Sequence, residues 1–155
     1  MASSLLASEV SAGSAVVGSG RLPSRWAEQQ PLLERQHARL EALISTLIEQ
    51  HAATGPLSEV AEVADELACR RLLWTLRLHL RLEERWLGQW GVLCPGHLAN
   101  HRAVAQAALA DFRRCRRDRA GRLAVLRGLH GWFLQHQAGP DAMAYGLAAQ
   151  AAATA

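Results

Sequence analysis

The chain has no lysine; all 17 of its basic residues are arginine. That reads as a habit of the source genome and carries no functional signal. Residues that favour strands are sparse, with valine infrequent and phenylalanine and tyrosine together numbering three, so a sheet has no support. The three cysteines, Cys69, Cys94 and Cys115, are odd in number, scattered and without a C-x-x-C pair. That excludes a disulfide framework and fits a reducing cytoplasm. No apolar run reaches the roughly 18 residues that a membrane helix needs. The first twenty residues lack a basic start and make a poor signal peptide. The net charge of +3 implies neither a nucleic-acid nor a membrane partner. The basic run from Arg113 to Arg119 reads as the solvated end of a helix.

Half of the 155 residues are hydrophobic and a fifth are charged, which suits one domain with its own core. Alanine, leucine, arginine, glutamate and glutamine dominate, and all are good helix formers. The expected organisation is an irregular arm over 1–25, a helical domain over 26–147 and an alanine-rich tail over 148–155. The arm is rich in small residues without a sustained period, and Trp26 is expected to anchor it.

From about Pro31 a helical period is clear, with Leu33, His37, Leu40, Ile44, Leu47 and Ile48 on one stripe. His37 therefore points inward, although a single histidine on an apolar face is more often a satisfied core residue than a ligand. Gly55 and Pro56 end this helix, and His51 near its end is expected to be structural or idle. A second helix begins within 58–66 and runs to about 87–89, with Leu72, Leu76, His79, Glu83 and Trp86 inward. Glu83 lies in the core stripe, and a buried carboxylate needs a cation: a metal, or an arginine from another helix. Pro95 is placed to open a third helix, whose stripe holds His97, His101, Val104, Ala108, Phe112 and Cys115. Two histidines one turn apart on a core stripe are hard to explain by packing, because each ring nitrogen must find a partner. A fourth helix follows Gly121, with Leu126, Leu129, Trp132, Phe133 and His136 inward and His130 toward solvent. Five residues separate His136 from Asp141, about 140° apart in a regular helix. With Gly139-Pro140 between them, a break or bulge that returns Asp141 to the core is expected; otherwise Asp141 caps the next turn. Four such helices joined by short turns predict an all-α, up-down-up-down antiparallel four-helix bundle.

Five imidazoles and two carboxylates thus fall on inward faces, a nitrogen and oxygen donor set for transition metals with a place for two ions. The chain resembles the hemerythrin family over roughly residues 26–147. The resemblance rests on four motifs in family order: Glu34-Arg35-Gln36-His37-x-x-Leu40, His79-x-x-x-Glu83-Glu84, His97-x-x-x-His101, and Trp132-x-x-x-His136-x-x-x-x-Asp141. It implies a centre of two non-haem iron ions bridged by an oxo or hydroxo group. His97, His101 and His136 would hold one iron and His37 and His79 the other, with Glu83 and Asp141 bridging. The second iron would keep an open position for dioxygen. Two Fe(II) ions, two carboxylates and one hydroxide sum to +1, so burial of the centre is tolerable. Neutral histidine ligands stabilise high-valent iron poorly, which favours reversible binding over oxidation. Leu40, Leu76, Leu80 and Trp132 are the candidates for a dry wall around the dioxygen pocket.

Two positions depart from the family pattern. Leu80 follows the second-helix histidine, where phenylalanine is usual, and Gln137 follows the fourth-helix histidine, where isoleucine is usual. Gln137 would bring a polar amide to the dioxygen pocket. The expected function is a dioxygen carrier, store or sensor with dioxygen as its partner. The alternatives are a di-iron enzyme acting on peroxide, nitric oxide or Fe(II), and a metal-free helical interaction module.

Overall fold

The computed structural model describes residues 22–155. The described chain is helical, with no strand: α1 (Trp26–Ala52), α2 (Glu59–Gln89), α3 (Pro95–Arg114), α4 (Arg119–His136), a π-helical turn (Gln137–Asp141) and α5 (Ala142–Ala153). α1 packs against α2 and α4, and α3 packs against the same two helices, so the four long helices form a bundle. No helix among the described residues is long and apolar enough to cross a membrane.

α1 starts five residues before the predicted boundary and takes Pro31 into its interior. An interior proline costs roughly 3 kcal/mol, so something must hold the first turns. Gln29 and Trp26 do so. Gln29 is buried, donates to Pro23 O and Gln89 Oε1, and accepts from Trp90 Nε1 at 2.8 Å. Trp26 is buried edge-on against Tyr145. These are long-range contacts, invisible to a periodicity argument. All but Leu22–Arg25 of the arm expected over 1–25 lies outside the described residues.

The other helix starts follow local chemistry. Ser58 caps α2 by accepting from Ala61 N, with Glu59 and Glu62 in the first turn where negative charge favours the helix dipole. Cys94 caps α3 with Pro95 in its first turn. Asp118 caps α4 by accepting from Gly121 N at 3.0 Å. A side chain at Gly121 would meet Cys115 Sγ at 2.8 Å and the Asp118 carboxylate more closely still, so glycine is required for that cap to close.

The bundle core divides in two. One apolar cluster joins Leu40, Ile44, Leu47, Leu72, Leu76, Leu80, Leu126, Leu129 and Phe133. The other joins Trp26, Leu33, Trp86, Leu87, Ala144, Tyr145 and Ala148. The alanine-rich end, expected as a tail over 148–155, belongs to a regular helix that runs to Ala153. Ala144, Tyr145 and Ala148 are buried there, and the small side chains let α5 approach α1 and α2 closely. A run of alanines shows no stripe, so this packing face has no signal in the sequence.

Candidate metal centre

The two apolar clusters meet at His37, whose ring lies edge-on to Phe133 at 5.6 Å and parallel to Tyr145 at 5.9 Å. Around it the structure gathers all seven predicted donors, every one of them buried. They fall into two groups that share Glu83: His97, His101, His136, Asp141 and Glu83 in one, and His37, His79 and Glu83 in the other.

In the larger group, His136 Nε2 stands 3.0 Å from His97 Nε2 and 2.8 Å from His101 Nε2. Asp141 Oδ1 is 3.0 Å from both His97 Nε2 and His136 Nε2. Ligands held at about 2.1 Å from one ion and at right angles stand about 3 Å apart, the spacing seen here. The two carboxylates link the groups. Asp141 turns Oδ1 toward His97 and His136 and Oδ2 toward His37 at 3.3 Å. Glu83 turns Oε2 toward His101 at 3.3 Å and Oε1 toward His37 at 3.8 Å.

The far sides of two rings fix which nitrogen is free. His79 Nδ1 donates to Gln36 Oε1 at 2.9 Å, and His101 Nδ1 donates to Glu84 Oε1 at 3.1 Å. That leaves Nε2 of each ring as a lone pair aimed inward, the arrangement that metal-binding histidines use. His37 Nε2, Glu83 Oε2 and Asp141 Oδ1 are buried without a hydrogen-bond partner. Such orphans are costly in a closed core, and a cation would satisfy all three.

The electrostatics suit a cation as well. Burial pushes the His79 pKa down to about 4, against the pull of Glu83, so the ring is neutral at pH 7. Burial alone would raise the Asp141 carboxyl, yet the imidazoles of His136, His37 and His97 beside it hold it well below the usual range. The same opposition at Glu83, burial against the His101 ring beside it, also ends below the ordinary value. Both carboxylates are therefore charged acceptors. Among the described residues no arginine pairs with Glu83, whose close contacts there are Tyr145, His101 and His37.

Asp141 reaches the site because the chain neither breaks nor stays regular. His136, Gln137, Asp141 and Ala142 all keep right-handed helical angles, and the wider π turn takes up the fifth residue. This brings Asp141 back to the face of His136. Asp141 makes no capping hydrogen bond to α5, which removes its alternative role.

The expected pocket residues sit in three places. Leu40, Leu76 and Leu80 belong to the apolar cluster that touches His37 through Phe133. Trp132 stacks on His136 at 4.6 Å and donates to Asn100, so it backs the three-histidine group. Gln137 is half-buried and lines a cleft of about 430 Å³ with Glu34, His37 and Tyr145. Of two further histidines, His51 takes the structural one of its two expected roles: it is buried in the last turn of α1, its Nδ1 donates to Leu47 O and its Nε2 accepts from Arg122 Nε. His130 differs from expectation: it is half-buried, not turned to solvent.

Tyr145 escaped the sequence reading. Its hydroxyl donates to Glu83 Oε1 from a buried position, and burial beside Glu83 pushes its ionisation far above the ordinary value. The signal was present: it is the chain's one tyrosine, one helical turn after Asp141. Gln36, Glu84 and Phe133 complete the surround.

Comparison of the chain with protein-family models, with curated proteins and with solved structures finds no match. The buried group of histidine, glutamate and aspartate side chains could hold metal ions.

Proposed function

We propose that this protein is a non-haem di-iron, dioxygen-binding protein of the hemerythrin type, an up-down-up-down antiparallel bundle working in the cytoplasm. One observation carries the reading: two groups of histidine nitrogens are joined by two carboxylates, each turning one oxygen to each group. Two ions sharing both carboxylates account for that pattern; a single four-ligand zinc site does not. In this reading His97, His101 and His136 would hold one iron and His37 and His79 the other, with Glu83 and Asp141 available to both. The group with fewer donors leaves room for a small ligand.

When bound, the iron pair supplies the electrons that reversible dioxygen binding requires. The chain's part is to orient and to exclude. Gln36 and Glu84 fix two imidazoles in the tautomer that offers Nε2. Tyr145 keeps its proton and donates it in a hydrogen bond to Glu83. The leucines packed behind Phe133 close the face of His37 that lies away from the cleft.

A second reading, a di-iron enzyme acting on peroxide, nitric oxide or Fe(II), draws support from the cleft that Glu34 and Gln137 line beside His37. One experiment separates the two. The reduced protein is assayed for iron, and its absorption is followed on admitting and removing air. Two irons per chain and a band that comes and goes support oxygen binding. Turnover with peroxide or nitric oxide supports the enzyme. A protein that takes up no iron overturns both.

A further inference from the structure

α2 carries an exposed apolar strip that the bundle does not use. Val60 is 80 % exposed, Val63 57 %, Leu67 56 %, Trp74 61 % and Leu78 49 %. At 100° per residue these five fall within a strip about 60° wide and about 27 Å long. Val60, Leu67 and Trp74 repeat at intervals of seven, the spacing of a helix–helix seam. Single exposed hydrophobic residues are ordinary, but an aligned strip of five marks a surface that is covered.

The charges beside the strip say by what. Exposed Glu59 lies on one flank at the N-terminal end; half-buried Arg77 and exposed Arg81 lie on the same flank at the C-terminal end. In a two-fold antiparallel helix pair the same flank of each helix meets. With the axis near residue 69, Val60 faces Leu78 of the second copy and Ala64 faces its Trp74. Glu59 then falls between Arg77 and Arg81 of that copy. Parallel pairing would set this flank against the opposite flank of the second copy at the same level, so Glu59 would lie about 27 Å along the axis from either copy's Arg77 and meet neither arginine. We infer that α2 is the seam of a homodimer in which the second copy lies antiparallel across the strip between Val60 and Leu78. The seam is independent of the metal reading, since none of these five apolar residues or three flanking charges belongs to the donor set.

Sedimentation of the whole chain tests this. A dimer is expected at micromolar concentration. Trp74→Glu should shift it to monomer with helical circular dichroism unchanged, because Trp74 lies outside both apolar clusters of the core. Glu59→Arg should weaken the dimer by about tenfold, and adding Arg77→Glu and Arg81→Glu should restore it. Orientation is read by disulfide trapping in a Cys94→Ser background, since Cys94 is an exposed thiol. A Val60→Cys, Leu78→Cys double variant should cross-link and Val60→Cys alone should not. A monomer at every concentration, a dimer indifferent to Trp74→Glu, or ready cross-linking of Val60→Cys to itself would each overturn the proposal.

Discussion

α1 buries two histidines on one face, and they have opposite surroundings. His37 and His51 are fourteen residues apart, close to four turns. His51 has a partner for each ring nitrogen: Nδ1 donates to Leu47 O at 2.8 Å, and Nε2 accepts from Arg122 Nε at 3.2 Å. Around it sit Cys69 and Asp65, an ordinary polar cluster with a guanidinium as its cation. Burial pushes the Cys69 thiol up to about 11, so it offers no thiolate at neutral pH. His37 Nε2 has no donor and faces two carboxylates instead. Burial is common to both. What separates a ligand from a core residue is whether the lone pairs that meet it have protons between them.

The sharpest way to break this contrast is to delete one ring from each cluster. His101→Ala removes a donor that faces both His136 and Glu83. Metal content of the purified variant should fall to near nothing at the larger group. His51→Ala should leave metal content per folded chain unchanged. Equal losses from both would mean that the two clusters are not different in kind.

Arg122 offers the converse. It is 1 % exposed, donates to His51 Nε2 and to Arg116 O, and has no carboxylate among its hydrogen-bond partners. Arg122→Ala strands both acceptors and leaves a cavity, so it should cost about 2–4 kcal/mol in denaturant unfolding. Metal binding by the folded fraction should persist. Loss of metal at full stability would tie the two clusters together and spoil the comparison.

The contrast also bounds what the sequence could tell. The stripes on α1 to α4 were legible because 3.6-residue periodicity is local, and they selected His37, His79, Glu83, His97, His101 and His136 as inward. The same stripe logic could not tell His37 from His51, because the difference lies on α2 and α4, in Glu83, Asp141 and Arg122. Asp141 was legible only as a conflict: regular geometry put it off the face, and only a bulge could return it. The early start of α1, held by Trp26 and Gln29, and the packing of α5 had no local signal, for one reason. Their structure is dictated by partners about sixty or more residues away, such as Gln89, Trp90 and Tyr145.

Groups that touch the ligands from outside should matter less than the ligands. Glu84→Ala removes the acceptor that orients His101 and leaves the donor set intact. Apparent metal affinity should fall by about 10- to 100-fold, read by chelator competition. Because Glu84 is a quarter exposed, stability without metal should change little. A drop in metal-free stability with unchanged affinity would make Glu84 a packing residue, like the groups around His51.

The smallest effect is expected at Gln137, where the metal-side cluster is least sealed. Its amide borders the cleft beside His37. A polar residue there admits water to the group with fewer donors. Gln137→Ile replaces the amide with a branched apolar side chain next to the π turn. On the oxygen-binding reading, the oxygenated band should then decay more slowly, by about threefold. Metal content and unfolding midpoint should stay where they were. An unchanged decay rate would show that water reaches His37 by another route, and the seal would then have to be sought among Phe133 and the leucines behind it.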